Sequence, residues 1–449
     1  MFIREKDFYQ NIFRLMLPLV LQQLLRISVD TVNSILLGRI SQIEMSAVSQ
    51  ANQVFFIFFT VCSGLSAGCA VLTAQYWGKK DRKTISVIIA HGLRTAAIFG
   101  LFMTVVVYLF PSSFMNIYSS DPEVVRIGAE YLRKVCLMYT ACGVSVMIFG
   151  ASRGVEQVKL ILFTNIISYS VNILLDYLLI YGKLGLPAMG AEGVAIGTVT
   201  ARLTELLICG WLFLTNPEIP FTARDLSSSD PAIRTSFFKV SAPIVAHEIV
   251  WSLGTSSGAA ITGQLGSDAV AGYNVTSVLY DLGASIGLGF QNACSVVLGM
   301  ILGAGDIPRA KRAANSMLAQ GLAIGIMLGI GTYLVRPLFL RLYMLNAAAN
   351  HYAMQFMTII SLIWPFSLME MVGMIAILRA GGDGRTGFWT DLVVMWMICI
   401  PLAWFAAFKV HAEPWVVVAI IKSMIVLEGI VGVIRVYQYQ WLRNLTESG

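Results

Sequence analysis

Charge is scarce in this chain. Only 12% of its 449 residues are Asp, Glu, Lys or Arg, against roughly 25% in a soluble domain. Apolar residues make up 57% and the mean hydropathy is +0.74. Apolar runs recur along the whole length, each reaching the roughly 20 residues that a bilayer crossing needs. That excludes a soluble enzyme or binding module. The runs are continuous and do not alternate with polar residues, which excludes a β-barrel. Lipid offers the backbone no hydrogen-bond partner, so helices remain as the spanning element. The seven cysteines all fall in apolar stretches and form no CxxC pair, so neither a disulfide frame nor a zinc site is expected. The formal net charge of +6 is spread over short loops; no basic face suits nucleic acid. A nucleotide-binding motif is missing too. LRAGGDGRTG, residues 378–387, is Gly-rich but lacks GxxxxGK[ST], so any transport must be driven by an ion gradient or a separate subunit. The start, MFIREKDFYQNIFRLML, has charges of both signs and no cleavage site. It reads as a short amphipathic helix on the inner surface, leading into the first span.

The apolar windows place spans near 13–37, 47–73, 86–110, 128–152, 158–181, 190–214, 238–263, 270–299, 312–335, 352–378, 386–408 and 414–437. With the N-terminus inside, Lys and Arg on the inner loops and termini outnumber those outside by about three to one, so both termini are expected in the cytoplasm. A shift of 225 residues brings Pro18 onto Pro243, Gly38 onto Gly263, Cys69 onto Cys294, Gly78 onto Gly303 and Asp81 onto Asp306. One residue more brings Arg153 onto Arg379 and Lys159 onto Arg385. An even number of spans per half makes the repeat parallel. The joint is the polar stretch 216–234. The expected build is an all-α polytopic membrane protein of twelve transmembrane helices, with a six-helix N-lobe (1–219), a six-helix C-lobe (220–449) and a cleft between them.

A charged side chain at mid-span costs about 2.5–3.5 kcal/mol on insertion scales, and function is its default reading. Counting along the helices at about 1.5 Å per residue puts Asp30, Asp176 and Thr198 in one layer, roughly 9–12 Å below the outer surface. Asn172 lies one turn below Asp176 on the same face. Two carboxylates, an amide and a hydroxyl are hard oxygen ligands, suited to Na⁺. The same set can hold a proton, since burial and a second carboxylate both favour a protonated Asp. The alternative is two separate aspartates, each satisfied locally. The C-lobe candidates for cation or substrate are Glu248, Asp281 and Glu370, with Asp281 equally readable as a helix-packing partner. HEIVW, residues 247–251, resembles the zinc-protease HExxH, but Trp251 stands where the second His belongs; His247 reads as a packed or pairing histidine. Arg202 and Glu205, three apart, read as a pair; Lys422 and Glu428, both in span 12, read as groups that snorkel or pair across helices.

LPLVLQQLL followed by VDTVNSILLG (17–25, 29–38), NILLDYLLIYG with GAEGVAIGTV (172–182, 190–199) and LRAGGD (378–383) together resemble the multidrug and toxic compound extrusion family. The resemblance covers essentially the whole chain. It implies a twelve-helix transporter. Placement in the plasma (inner) membrane and no cofactor are expected, and a cleft between the chain's own two lobes makes a monomer sufficient. Such a transporter exports organic cations and amphipathic drugs in exchange for Na⁺ or H⁺. By motif, Asp30 corresponds to the family's acid of helix 1, Asn172 and Asp176 to its helix-5 pair, and Thr198 to its helix-6 segment. Asp30, Asn172 and Asp176 would hold Na⁺ if Na⁺ is the coupling ion. Glu248 resembles the helix-7 acid of the Na⁺-coupled branch. Tyr177 stands where many members have Pro, so a straighter fifth helix is expected. Two rivals remain. A flippase for lipid-linked saccharides or peptidoglycan precursors would want a basic cleft, and Arg26, Arg94 and Arg202 keep it open. A membrane-embedded enzyme would need a nucleophile–base or metal constellation, of which HEIVW is only a near miss.

Overall fold

The computed structural model describes residues 2–38, 41–185 and 187–447; the side chains of Asp30, Ser34, Leu37 and Gly38 lie outside that description. Twelve long helices follow one another among the described residues. They are α1 (Lys6–Gly38), α2 (Gln42–Gly78), α3 (Arg82–Leu109), α4 (Pro122–Gly154), α5 (Val158–Tyr181), α6 (Ala191–Thr215), α7 (Pro231–Thr262), α8 (Ser267–Gly303), α9 (Ile307–Leu340), α10 (Ala347–Leu378), α11 (Gly384–Phe408) and α12 (Pro414–Tyr437). Eleven are long and apolar enough to cross a bilayer. The twelfth, α7, has 32 residues and is more polar, carrying Arg234, Lys239, His247 and Glu248. The lipid-type face is clearest on α3, where Ile98, Leu101, Phe102, Val105 and Leu109 are all exposed at helical spacing.

α1 corrects the expectation of a separate surface helix before the first span. It runs unbroken from Lys6 through Pro18. Ile3, Phe8, Ile12 and Leu15 are buried along its start, so an apolar stripe outweighs the charges of both signs around it. The Ile3 amide is tied down by the Ser316 hydroxyl at 2.9 Å. α5 is continuous, with no proline inside it, past Tyr177.

The repeat is physical as well as textual. α2 packs on α4 as α8 packs on α10, and α3 packs on α4 as α9 packs on α10. Asp81 caps α3, accepting from the Thr84 amide at 3.1 Å, and Asp306 caps α9, accepting from the Arg309 amide at 2.9 Å. Before each cap the chain turns through a left-handed residue, Lys80 (φ 63°) and Gly305 (φ 79°). The sequence repeat divides the chain at 1–219 and 220–449. Contacts group it as Leu21–Val245 and as the residues up to Val20 with those from Ala246 onward. The division points in α1 and α7 fall two residues after the equivalent prolines Pro18 and Pro243.

Three stretches inside these helices depart from α-geometry; Cys136–Met138 in α4 is a 3-10 turn. Met371–Leu378 in α10 and Leu392–Cys399 in α11 are π-helical, a rare conformation concentrated at functional sites. Arg379 directly follows the first π-helical stretch and Asp391 directly precedes the second.

The two caps generate a paired prediction. Asp81→Ala and Asp306→Ala should each lower stability by about 1 kcal/mol, the usual contribution of an N-cap. Thermal unfolding of the detergent-solubilised protein measures it. Two unaffected melting temperatures would mean that the caps do not hold the fold.

Candidate functional site

Within the Leu21–Val245 unit, α1, α2, α4, α5 and α6 enclose a cavity of about 1020 Å³. Its wall is polar where the helices meet: Asn33, Gln50, Asn52, Tyr131, Asn172 and Thr198 all line it. Asp176 lies one turn beyond Asn172 on α5 and is 0% exposed. Gly197 of α6 makes room for this carboxylate, since a Cβ there would overlap Asp176 Oδ1. Among the described residues neither Asp176 oxygen meets a hydrogen-bond donor within ordinary geometry, although the Asn172 amide lies within its reach. Asn172 Oδ1 accepts from Asn33 Nδ2 at 3.1 Å, which leaves Asn172 Nδ2 and Asn33 Oδ1 without partners. Buried polar atoms are nearly always satisfied. A cluster that is not marks a place prepared for water, a proton or a small cation.

The structure therefore gathers Asn172, Asp176 and Thr198 at one place. The Asp30 side chain lies outside the described residues, so the site is described without it. Sequence reasoning missed two members. Asn33 stands three residues after Asp30. Tyr131, on α4, hydrogen-bonds Thr198 and lies in electrostatic reach of Asp176; its hydroxyl also points to Asn52 Oδ1 at 3.4 Å. An aromatic residue near a span's end is common as a membrane-interface anchor, and so Tyr131 gave no separate signal.

The three arginines behave differently. Arg26 and Arg202 line the cavity. Arg202 donates to Glu205 at 2.7 Å, and Glu205 is fully buried, as its spacing suggested. The Arg26 Nε donates to Gln23 at 3.2 Å. Arg94 is engaged elsewhere, donating to the carbonyls of Ala90 and Ser228 and contacting His91.

The unit that begins at Ala246 holds a second polar cluster. Arg379 binds Glu248 at 2.8 Å and His247 Nδ1 at 2.6 Å. His247 Nε2 faces Asp391 at 3.3 Å. Glu370 interacts with Asp391, Arg379 and Glu248, and Glu428 hydrogen-bonds Asp391. Arg379 and Asp391 are only 7% and 2% exposed. Glu248 and Glu370 thus share a network, and His247 is a pairing histidine. Arg379, at the end of α10, is buried and pairs with Glu248. Glu428 pairs across helices with Asp391. Asp391 went unread, although it is the lone acid in its apolar run. Asp281 stands apart, on α8, with Lys422 and Tyr280. Among the described residues no three His, Cys, Asp or Glu side chains converge tightly enough to hold a metal. The acids form a chain interrupted by Arg379 and His247.

Comparison with known proteins agrees with this architecture. The MatE family model matches residues 18–178 and, a second time, 243–405. A probable multidrug resistance protein NorM of Agrobacterium fabrum is 25% identical over 413 residues, covering 87% of this chain and 85% of the relative. The multidrug resistance protein MdtK of Yersinia enterocolitica is 24% identical over 411 residues, covering 87% and 86%. Among solved structures, an outward-facing multidrug resistance MATE family transporter of the MOP superfamily superposes with a TM-score of 0.85 at 18% identity, covering 98% of this chain and 99% of that one. A MOP superfamily transporter from Pyrococcus furiosus, described as having reversed pocket polarity, gives 0.85 at 18% identity, covering 96% and 95%. At these identities the solved structures establish the fold.

The Glu248–Arg379 pair yields a stability test. Removing one partner of a buried pair strands the other charge. Arg379→Met should therefore cost on the order of 3 kcal/mol, and adding Glu248→Met should restore most of it. Melting of the two variants beside wild type decides; equal melting temperatures for the single and double variants would mean that the pair is not coupled.

Proposed function

The chain belongs to the MatE family, and from that premise we propose that it is a secondary active multidrug efflux antiporter. It exports organic cations or amphipathic drugs in exchange for Na⁺ or H⁺. The observation that carries this reading is Asp176: a fully buried carboxylate whose oxygens find no hydrogen-bond donor among the described residues, beside a cavity of about 1020 Å³ lined in part by amides and hydroxyls. Multidrug resistance relatives that align over most of the chain support the substrate class.

The coupling ion is cargo, taken up on one side and released on the other. In the N-lobe it would be held by Asp30, Asn172, Asp176 and Thr198. Asp176 supplies charge, Asn172 and Thr198 supply oxygens, and Tyr131 links Thr198 to the carboxylate. Ion binding satisfies the orphaned atoms, so the occupied and empty lobes differ in energy. A drug with different affinity for the two states is then coupled to the ion by linkage. Glu248 and Glu370 form the C-lobe candidates, with Arg379 as a resident counter-charge that an entering cation has to compete with. The protein is a multi-pass membrane protein; plasma-membrane placement, cytoplasmic termini and action as a monomer complete the reading.

The flippase alternative has one observation of its own. Arg26 lines the cavity, where it could meet a pyrophosphate headgroup, but the second lining arginine, Arg202, is already neutralised by Glu205.

The experiment is efflux of a fluorescent organic cation from vesicles, with Na⁺ and proton gradients imposed separately. Wild type should respond to one gradient, and Asp30→Asn and Asp176→Asn should each lose at least tenfold in rate. Wild-type rates in both variants would sink the N-lobe mechanism. No efflux under either gradient by inserted protein would favour the flippase.

A further inference from the structure

Lys422 is an unusual residue for its place. It lies nine residues into α12, inside the apolar span Pro414–Tyr437. Its ammonium does not reach the end of the helix. Nζ sits 4.6 Å from the centre of the Tyr280 ring on α8, a cation–π distance. Its other electrostatic neighbours are Tyr273 and Asp281, also on α8. Tyr273 and Tyr280 are seven residues apart and so share a helix face.

This arrangement is held rigidly. Tyr280 stacks on Trp364 of α10, with centroids 5.0 Å apart and planes 17° from parallel. Trp364 is 1% exposed and donates its indole N–H to Thr332 at 3.0 Å. Gly283 lets the two helices close up at this point, since a Cβ there would overlap the Trp364 ring. Tyr273 meets Phe356 edge-on at 6.2 Å. Asp281 is exposed, unlike Lys422 and Tyr280, which are half-buried. An exposed carboxylate midway along a spanning helix faces water rather than hydrocarbon. All these residues belong to the unit that begins at Ala246.

We propose that Tyr280, Tyr273 and Asp281 form a binding box for organic cations and that Lys422 is its tethered occupant, which a substrate cation must displace. The inference rests on the organic-cation reading above and names one of its subsites. A tyrosine face plus a carboxylate is the chemistry that recognises alkylammonium and aromatic cations. The lysine ammonium satisfies it in the absence of drug and, being part of the chain, is present at high effective concentration. Weak cations would then fail to enter, and a cation that does enter frees a lysine charge inside the lobe. Glu370, which also lies in reach of Tyr280, is the nearest member of the Glu248–Arg379–Asp391 network to feel that change.

The test is equilibrium binding of radiolabelled tetraphenylphosphonium to the purified protein in detergent, with no gradient present. Lys422→Met keeps the apolar stem and removes the charge, and should bind at least fivefold more tightly than wild type. Lys422→Arg should bind like wild type. Adding Asp281→Asn or Tyr280→Ala to Lys422→Met should abolish the gain. Unchanged or weaker binding by a Lys422→Met protein that melts normally would overturn the proposal. So would a loss of stability in Lys422→Met that Asp281→Asn repairs without any gain in binding, because Lys422 would then be only a structural partner. If Lys422→Met does not fold, Lys422→Gln carries the same comparison. A binding gain alongside absent gradient-driven efflux would uphold the box and reject the antiporter.

Discussion

Inside a bilayer a charged or polar atom has to find its partner within the protein, and this structure is arranged around how each intramembrane carboxylate does so. Backbone groups are satisfied by the helices themselves. Side chains are not. Glu205 is answered by Arg202, Glu248 by Arg379, and Asp391 by His247. Among the described residues Asp176 has no such cation; the Asn172 amide and the Tyr131 hydroxyl are the polar groups within its reach. A carboxylate provided with its own cation is stable but committed. One without such a cation is stable only when something mobile arrives, and that difference separates a structural acid from a coupling site.

The duplicated architecture makes the contrast sharper. The halves share caps, prolines and helix pairings, and they share Arg153 and Arg379 at equivalent places. The partners of these two arginines have diverged. Arg379 binds Glu248, whereas Arg153 donates to the Ser66 hydroxyl. At the shift of 225 Glu248 corresponds to Gln23, and at the shift of 226 that aligns Arg153 with Arg379, Asp391 corresponds to Asn165. The N-terminal half thus carries amides where the C-terminal half carries acids of nearly the same shape. Conversely, Asn172 and Asp176 fall opposite Ile398 and Leu402. One backbone plan has been given two different electrostatic interiors.

The sequence made some of this legible and hid the rest for definite reasons. Apolar run length marks each span, because bilayer thickness fixes it. Depth along a helix can be counted residue by residue, and that count alone places Asn172, Asp176 and Thr198 in one layer. Rotation about the helix axis and local irregularity cannot be counted in this way. Arg379 and Asp391 flank the two π-helical segments, where residue spacing departs from 3.6 per turn. Their convergence on His247 could not be read from an ideal helical wheel. The near match of HEIVW to a zinc motif drew attention to His247, but the partner that matters lies on α11. The surface-helix reading of the N-terminus failed because charges of both signs were weighed above the apolar stripe of Ile3, Phe8, Ile12 and Leu15.

The same constraint explains why a second cation, Lys422, can sit so far inside its span. A lysine in hydrocarbon would snorkel to the interface. This one has an aromatic face and Asp281 within reach, which together replace part of its hydration. Any site able to hold a lysine ammonium in place of water is, by the same chemistry, able to hold another organic cation. Under the proposal above, the features that make Lys422 tolerable inside the membrane would also recognise a cationic drug, and Arg379 at Glu248 would pose the same competition to a coupling ion.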